Sequence, residues 1–391
     1  AHTAVKIEQN YSEPVVYVSN ASRAVGVAQS LLSAELKPAF AARLAKEYDA
    51  AREQHNRKQP RTKAVSLAEA RANAWSCDWA SYQPPKPVKP GIHVLRNVPI
   101  ETLRRYIDWT PFFQSWELAG RFPAILTDEV VGESASALWV DAQAMLAKIV
   151  SEHWLTASGV VGLFPAQSIN GEDIEIYCPE TGAPLMTWVG LRQQLIKTAK
   201  DGQVSSPDWA LADFIAPKDS GVKDYIGAFA VTAGLGIDPL VAQFEAANDD
   251  YSAILLKALA DRFAEALAER MHELVRKEYW GYAADEQLSN EDLIDEKYSG
   301  IRPAPGYPAC PDHTTKADLW KLLNPDEIGL TLTESYAMWP TAAVSGFYIA
   351  HPESRYFGTG KLDKDQVEDY AKRRGVSLEQ AERDLAPVLG Y

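Results

Sequence analysis

Cysteine is scarce in this chain: Cys77, Cys178 and Cys310 are its only three in 391 residues, far apart and without a C-x-x-C or Cys/His cluster. That spacing supports neither a disulfide framework nor a structural zinc site, and a reducing, cytoplasmic setting is expected. Long apolar runs are missing too. No window approaches the roughly 18 residues that span a bilayer, and the start, Ala1-His2-Thr3-Ala4-Val5-Lys6, has no secretory h-region, so a soluble protein without a membrane partner is expected. Positive charge is in deficit, with 39 Lys+Arg against 53 Asp+Glu and a net charge of −14. Such a chain repels nucleic acid, and any anionic ligand needs a local basic device. No G-x-x-x-x-G-K-[ST], G-x-S-x-G or H-E-x-x-H occurs. Gly234-Leu-Gly236 is the only candidate nucleotide loop, and without a third glycine and an acidic partner it reads as a plain strand-to-helix turn. The histidines are scattered, so neither a metal site nor a catalytic triad is expected.

The length suggests two structural units. The first residue is not Met and an apolar pattern opens at Val5, so the chain reads as a piece of something longer. Pro14 to Arg23 is a short β-branched run ending in helix-cap residues, followed by a helical Ala24 to Leu32: strand, turn, helix. Ser33 to Ala80 is helical and highly charged, interrupted at Pro60, and reads as a solvated linker. After the Pro-rich break at 84–90 apolar density rises. There the pattern predicts helices at 133–153, 185–200, 239–249, 251–279, 364–374 and 377–385, a hairpin of 160–165 and 173–177 turning at Gly171, and strands at 225–232 and 342–350. Helices and strands mix without βα alternation, so the expected class is α+β, mixed helices around a mainly antiparallel, twisted sheet.

Three segments could carry chemistry. Gly300 to His313 holds four prolines, at 303, 305, 308 and 311, so its backbone is stiff and non-helical. Such a segment leaves backbone groups for a ligand, with Arg302 as a bidentate donor for a carboxylate. Composition alone favours a rigid connector. Tyr106-Ile-Asp-Trp-Thr-Pro-Phe-Phe113 sets an acid among aromatics before a helix capped by Thr110; Asp108 reads either as a cation ligand or as a local cap. His351 to Phe357 ends a strand with paired aromatics, which could stack on a planar ring or simply pack.

Together these segments resemble the C-terminal activation domain of cobalamin-dependent methionine synthase, which binds S-adenosylmethionine. The resemblance rests on Asp108-Trp-Thr-Pro-Phe-Phe, Val160-Val-Gly-Leu-Phe-Pro-Ala, Asp224-Tyr-Ile-Gly-Ala-Phe-Ala-Val-Thr, Arg302-Pro-Ala-Pro-Gly-Tyr-Pro-Ala-Cys-Pro and Thr333-Glu-Ser-Tyr-Ala-Met-Trp-Pro, from about residue 60 to the end. Residues 1–34 resemble the tail of that enzyme's cobalamin module. The division implied is 1–34 module remnant, 35–90 helical and Pro-rich linker, and 91–391 activation domain. The resemblance further implies rescue of Co(II) cobalamin by reductive methylation, with S-adenosylmethionine as methyl donor and flavodoxin or a flavoprotein reductase as electron donor. Asp108 would then meet the ligand's amino-acid or ribose polar groups and Arg302 its carboxylate. Ala304 and Gly306 would hold the adenine end, and Tyr307 would lie near the sulfonium. Glu265 would supply a further acid, with Glu296 a weaker candidate, and Tyr356 and Phe357 would complete the site. The family often carries Tyr-Tyr where this chain has Tyr356-Phe357. No catalytic residue, metal ligand or D-x-H-x-x-G cobalamin motif is expected here, Asp312-His313 having the wrong spacing. The partners implied are the cobalamin module and the reductant, with the chain itself a monomer that makes no methionine alone. Two other readings stand beside this one: a purely conformational docking domain using Lys372, Arg373 and Arg374, or an independent small-molecule methyltransferase. On sequence grounds, truncating Arg302 is expected to harm binding and not folding.

Overall fold

The computed structural model describes residues 2–18, 21–58, 64–196 and 206–391, which divide into two compact units, Ala1–Lys63 and Ala64–Tyr391. The boundary falls inside the stretch read as a linker. In the first unit, α1 (Ala21–Leu32) is followed by α2 (Lys37–Lys58). Arg52 ties α2 to the first turns through Glu8 at 2.6 Å and the Ala4 carbonyl at 2.9 Å. The strand expected within 14–23 does not form: residues 14–18 run without regular structure, held by the Tyr48 hydroxyl donating to the Val15 carbonyl at 2.9 Å, residues 19–20 lie outside the described residues, and 21–23 already belong to α1. A lone β-branched run has no ladder to join, and its propensity is then of no consequence.

The second unit opens with α3 (Leu67–Ala72), started by a capping box in which Ser66 and Glu69 satisfy each other's amides. From here to Tyr82 the chain is only partly solvated, where its composition suggested a solvated linker. Arg71 pairs with buried Glu172 at 2.7 Å, and Trp75, Trp79 and Tyr82 pack around the buried His351 ring.

A six-stranded antiparallel sheet organises the rest. Its strands are β1 (Gly91–Val98), β2 (Thr156–Ile169), β3 (Asp173–Tyr177), β4 (Pro184–Trp188), β5 (Asp224–Leu235) and, beyond a two-stranded ribbon of β6 (Thr331–Leu332) and β7 (Met338–Trp339), β8 (Ala343–Tyr348). The order is β4-β3-β2-β5-β8, with β1 on the first half of the β2 edge that β3 occupies further on. Strands β2 and β5 are buried on both faces, and period-2 alternation sorts their side chains into two cores. Val161, Leu163, Phe229 and Val231 enter one core with Tyr348; Val160, Phe164, Ala228 and Ala230 enter the other with Phe347.

The first core is covered by helices: α4 (Ile100–Leu103), α5 (Thr110–Ser115), α6 (Gly132–Ser151), α7 (Ile237–Ala246) and above all the 25-residue α8 (Asp250–Leu274). Each fully buried Leu or Phe on such a face contributes roughly 1.5–3 kcal/mol. Helix α9 (Asn290–Ile294) precedes the Pro-rich segment, and α10 (Thr315–Leu323) packs on the second core. A third, smaller core lies under α11 (Lys364–Arg374) and α12 (Leu378–Asp384). The fold is therefore α+β, helices around a mainly antiparallel sheet. Among the described residues no helix is long and apolar enough to cross a membrane.

One predicted helix is overturned. Residues 184–188 form β4, 189–196 run as irregular chain with isolated bridges, and 197–200 lie outside the described residues. Leu- and Gln-rich composition favours a helix locally, but distant partners decide: Trp188 stacks on Phe347 at 3.9 Å, and buried Arg192 is captured by Glu172 at 2.8 Å and Asp213 at 2.7 Å. Gly234-Leu-Gly236 is the turn from β5 into α7, Gly236 taking φ +91°.

A candidate ligand cleft on the Pro-rich segment

The Pro-rich segment crosses the end of β8. Its first residues extend the sheet: Ile301 exchanges backbone hydrogen bonds with Ile349 at 2.9 and 3.0 Å, and the Phe347 amide donates to the Pro303 carbonyl at 2.9 Å. The chain then turns back at Gly306 (φ +96°), whose amide donates to the Cys310 carbonyl at 2.8 Å; a Cβ there would lie 2.3 Å from the His313 ring. Several backbone groups of the segment are thus already paired, while others stay open, as its prolines suggested. Among the described residues, the Ala304 amide makes no backbone hydrogen bond.

The segment forms one wall of a cleft of about 480 Å³, opposite Glu265 of α8 and Glu296 after α9. Of the residues singled out in the sequence, Glu265, Glu296, Arg302, Ala304, Tyr307, Tyr356 and Phe357 line it. Pro308 of the segment lines it too, and Phe229 and Val344 add apolar surface that sequence reasoning missed. Gly306 shapes the turn without lining the cleft. Asp108 is not a lining residue either: its Oδ1 accepts the Thr110 amide at 2.9 Å, the local-cap alternative. Thr110 itself is not the N-cap; α5 begins at it, and its hydroxyl accepts the Phe122 amide at 3.2 Å.

The electrostatics of the cleft are set by pairing. The Arg302 guanidinium donates through Nη2 to Glu269 at 2.7 Å, with Nη1 3.3 Å from the Tyr298 hydroxyl and 3.4 Å from His272 Nδ1, while its backbone amide donates to the Tyr356 hydroxyl at 2.9 Å. Burial opposes its charge, but Glu269 more than offsets this and holds Arg302 protonated. Burial also pushes the carboxyls of Glu265 and Glu296 above their usual range, against the pull of Arg302. One guanidinium, already neutralised from behind, thus faces two acids eager for a cation, with Tyr307, Tyr356 and Phe357 as ring surfaces. Glu269, His272 and Tyr298 were not anticipated. A signal existed, because Glu265, Glu269, His272 and Arg276 follow a helical spacing that should have been apolar.

The basic triplet at the end of α11 is not a free patch. Arg373 is held by Asp369 at 2.7 Å and by Asp173, and Arg374 by Asp318, leaving Lys372 exposed. Another open cleft, of about 630 Å³, is rich in guanidinium groups, lined by Arg104, Arg105, Arg270, Trp109, Trp139 and Gln143, although Arg104 pairs with Glu101 of the same cleft at 3.2 Å and Arg105 lies 3.9 Å from Glu273. It is larger than the first, and its three arginines outnumber the one acid that lines it.

Residues 99–375 match the family described as vitamin B12 dependent methionine synthase, activation domain. Among solved structures, the chain is similar to the MetH reactivation domain bound to AdoHcy, at 55% identity and a TM-score of 0.80, covering 84% of this chain and 100% of that one. The match spans strands β2 to β8, α8 and the whole Pro-rich segment, and on it the chain belongs to the activation-domain family of vitamin B12 dependent methionine synthase.

Proposed function

We propose that the 480 Å³ cleft binds S-adenosylmethionine as methyl donor for the reductive methylation of Co(II) cobalamin. The observation that carries this reading is the juxtaposition of Arg302 with Glu265, Glu296 and three aromatic rings. The ligand combines a carboxylate, an ammonium, a sulfonium and a purine, and these call for one guanidinium, acids and ring faces. Arg302 takes the carboxylate, the Ala304 amide and the Pro-rich wall the adenine end, and Tyr307 lies by the sulfonium. Asp108, which does not line the cleft, would meet the ligand's polar groups only from beyond its lining, through Oδ2, since Thr110 takes Oδ1.

Cobalamin supplies the methyl-accepting cobalt and is held by a separate module, of which residues 1–34 are the tail. The chain carries no D-x-H-x-x-G sequence, and among the described residues no group of three His, Cys, Asp or Glu could hold a metal ion. A flavodoxin-type reductant, itself acidic, docks on the guanidinium-rich cleft of Arg104, Arg105 and Arg270. The module acts in the cytoplasm as a monomer and makes no methionine alone. Equilibrium titration with S-adenosylmethionine tests the reading: one site per chain is expected, and absence of binding refutes it. Methyl transfer to small thiols would point instead to an independent methyltransferase, and methionine formed from homocysteine and methyltetrahydrofolate would refute the modular role.

A further inference from the structure

Helix α8 carries Glu265, Glu269, His272 and Arg276 at intervals of four, three and four, which at 3.6 residues per turn aligns them on one face, although Arg276 lies just past the regular helix. That face is turned inward: Glu269 is 7% exposed, and His272 and Arg276 are 0% exposed. A polar stripe in a core is costly unless each group finds a partner. Arg276 finds Glu286, in a fork of 2.7 and 2.9 Å. The other two converge on Arg302, Glu269 on Nη2 and His272 on Nη1, with Tyr298 beside them. A guanidinium only donates, so His272 Nδ1 is the acceptor and the ring is neutral with its proton on Nε2. The ring cannot swing: it stacks on Tyr348 at 4.9 Å and meets the edge of Tyr298 at 4.7 Å. None of Glu269, His272 and Tyr298 lines the cleft.

We propose that Glu269, His272 and Tyr298 are positioning residues, which fix the Arg302 guanidinium in one orientation for the carboxylate of an amino-acid-bearing nucleoside without contacting that ligand. This rests on the ligand reading above and assigns it residues behind the cleft wall. An Arg side chain alone has many rotamers to lose on binding; one already gripped on two nitrogens has lost them in folding. The rival idea is that Glu269 merely competes with the ligand for the charge of Arg302.

Two ligands separate these roles: S-adenosylhomocysteine, which carries the carboxylate, and 5′-methylthioadenosine, a nucleoside thioether without it. Calorimetric titration of the whole chain with Glu269→Gln is expected to show S-adenosylhomocysteine weakened about tenfold, as for loss of one charged hydrogen bond, and methylthioadenosine unchanged. Tyr298→Phe, which keeps the ring, is expected to give a loss of about threefold with the same selectivity, and it carries the test if the Glu269 variant fails to fold. Tighter binding by Glu269→Gln means competition, equal loss of both ligands means a general structural role, and no change in either variant means no role. Each of these overturns the inference and leaves the ligand reading standing, whereas a wild-type chain that binds neither ligand overturns both.

Discussion

Replacing Arg302 by Ala removes two things at once, and the structure allows their sizes to be separated. The first is the partner of Glu269, a 2.7 Å ion pair whose acid is 9% exposed at the side chain and whose Arg is 21% exposed. Breaking a buried pair costs 3–5 kcal/mol, and since this one borders a cleft the lower end applies, about 3 kcal/mol, seen as a fall of several degrees in Tm. The expectation that truncation would spare folding is thereby revised, because the residue braces the core as well as facing the cleft. The second loss is the donor for the ligand carboxylate, about 1.5–3 kcal/mol, or about 10- to 150-fold in S-adenosylmethionine affinity. The double variant Arg302→Ala/Glu269→Gln discharges the orphaned acid and is expected to recover most of the Tm and none of the affinity. Differential scanning calorimetry and titration calorimetry on the three proteins read both quantities. An unchanged Tm in the single variant would falsify the buried pair, and recovered affinity in the double variant would remove Arg302 from the ligand.

His351 sits among four aromatic side chains and is 4% exposed, with burial lowering its pKa from 6.5 to about 4. Its folded pKa lies below the unfolded one, so its contribution is complete above pH 6.5 and lost as pH falls towards 4, by at most about 3 kcal/mol; urea titrations between pH 7 and 4 should show this slope and lose it in His351→Phe. Gly306→Ala is expected to cost about 1–2 kcal/mol for its φ of +96° alone, and to weaken the ligand by disturbing the turn, measured by melting and titration; an unaffected protein would mean the turn relaxes freely. Arg104→Glu with Arg105→Glu should weaken association with flavodoxin about tenfold at low salt while S-adenosylmethionine binds as before, whereas Lys372→Glu should change neither. Equal effects of the two changes would mean diffuse attraction instead of a docking surface.

What could be read from the sequence follows from how local each signal is. Strand β5 and helix α8 announce themselves by period and length, and both lie where the apolar pattern sets them. Strand β4 does not, because nothing within Pro184–Trp188 reveals that Trp188 will stack on Phe347, more than 150 residues away. The same contrast runs through the cleft. Arg302 was legible because it opens a Pro-stiffened segment, and Tyr356 and Phe357 because they pair at a strand end, whereas Ala304 and Tyr307 came from the family resemblance. Glu269 and His272 were not, since their relevance depends on α8 meeting that segment.

This division has a physical root. Proline fixes the backbone of a loop but leaves the side chains between prolines free. Here the Arg302 backbone is clamped from outside the loop, by the Ile301–Ile349 pairing on one side, the Pro303 carbonyl on Phe347 on the other, and the Tyr356 hydroxyl on its own amide. The guanidinium is clamped separately, by an acid and an imidazole from a helix on the far side of the sheet's edge. An arginine aimed in one direction thus needs four elements, the segment, β8, the 351–357 stretch and α8, and the contribution of α8 is not visible as a motif. For this reason a sequence match restricted to Arg302-Pro-Ala-Pro-Gly-Tyr is an incomplete criterion for a working site. A relative that keeps the segment but replaces Glu269 or His272 by an apolar residue is expected to hold its guanidinium loosely and to discriminate poorly between nucleosides with and without a carboxylate, which titration of such a relative with S-adenosylhomocysteine and methylthioadenosine would reveal.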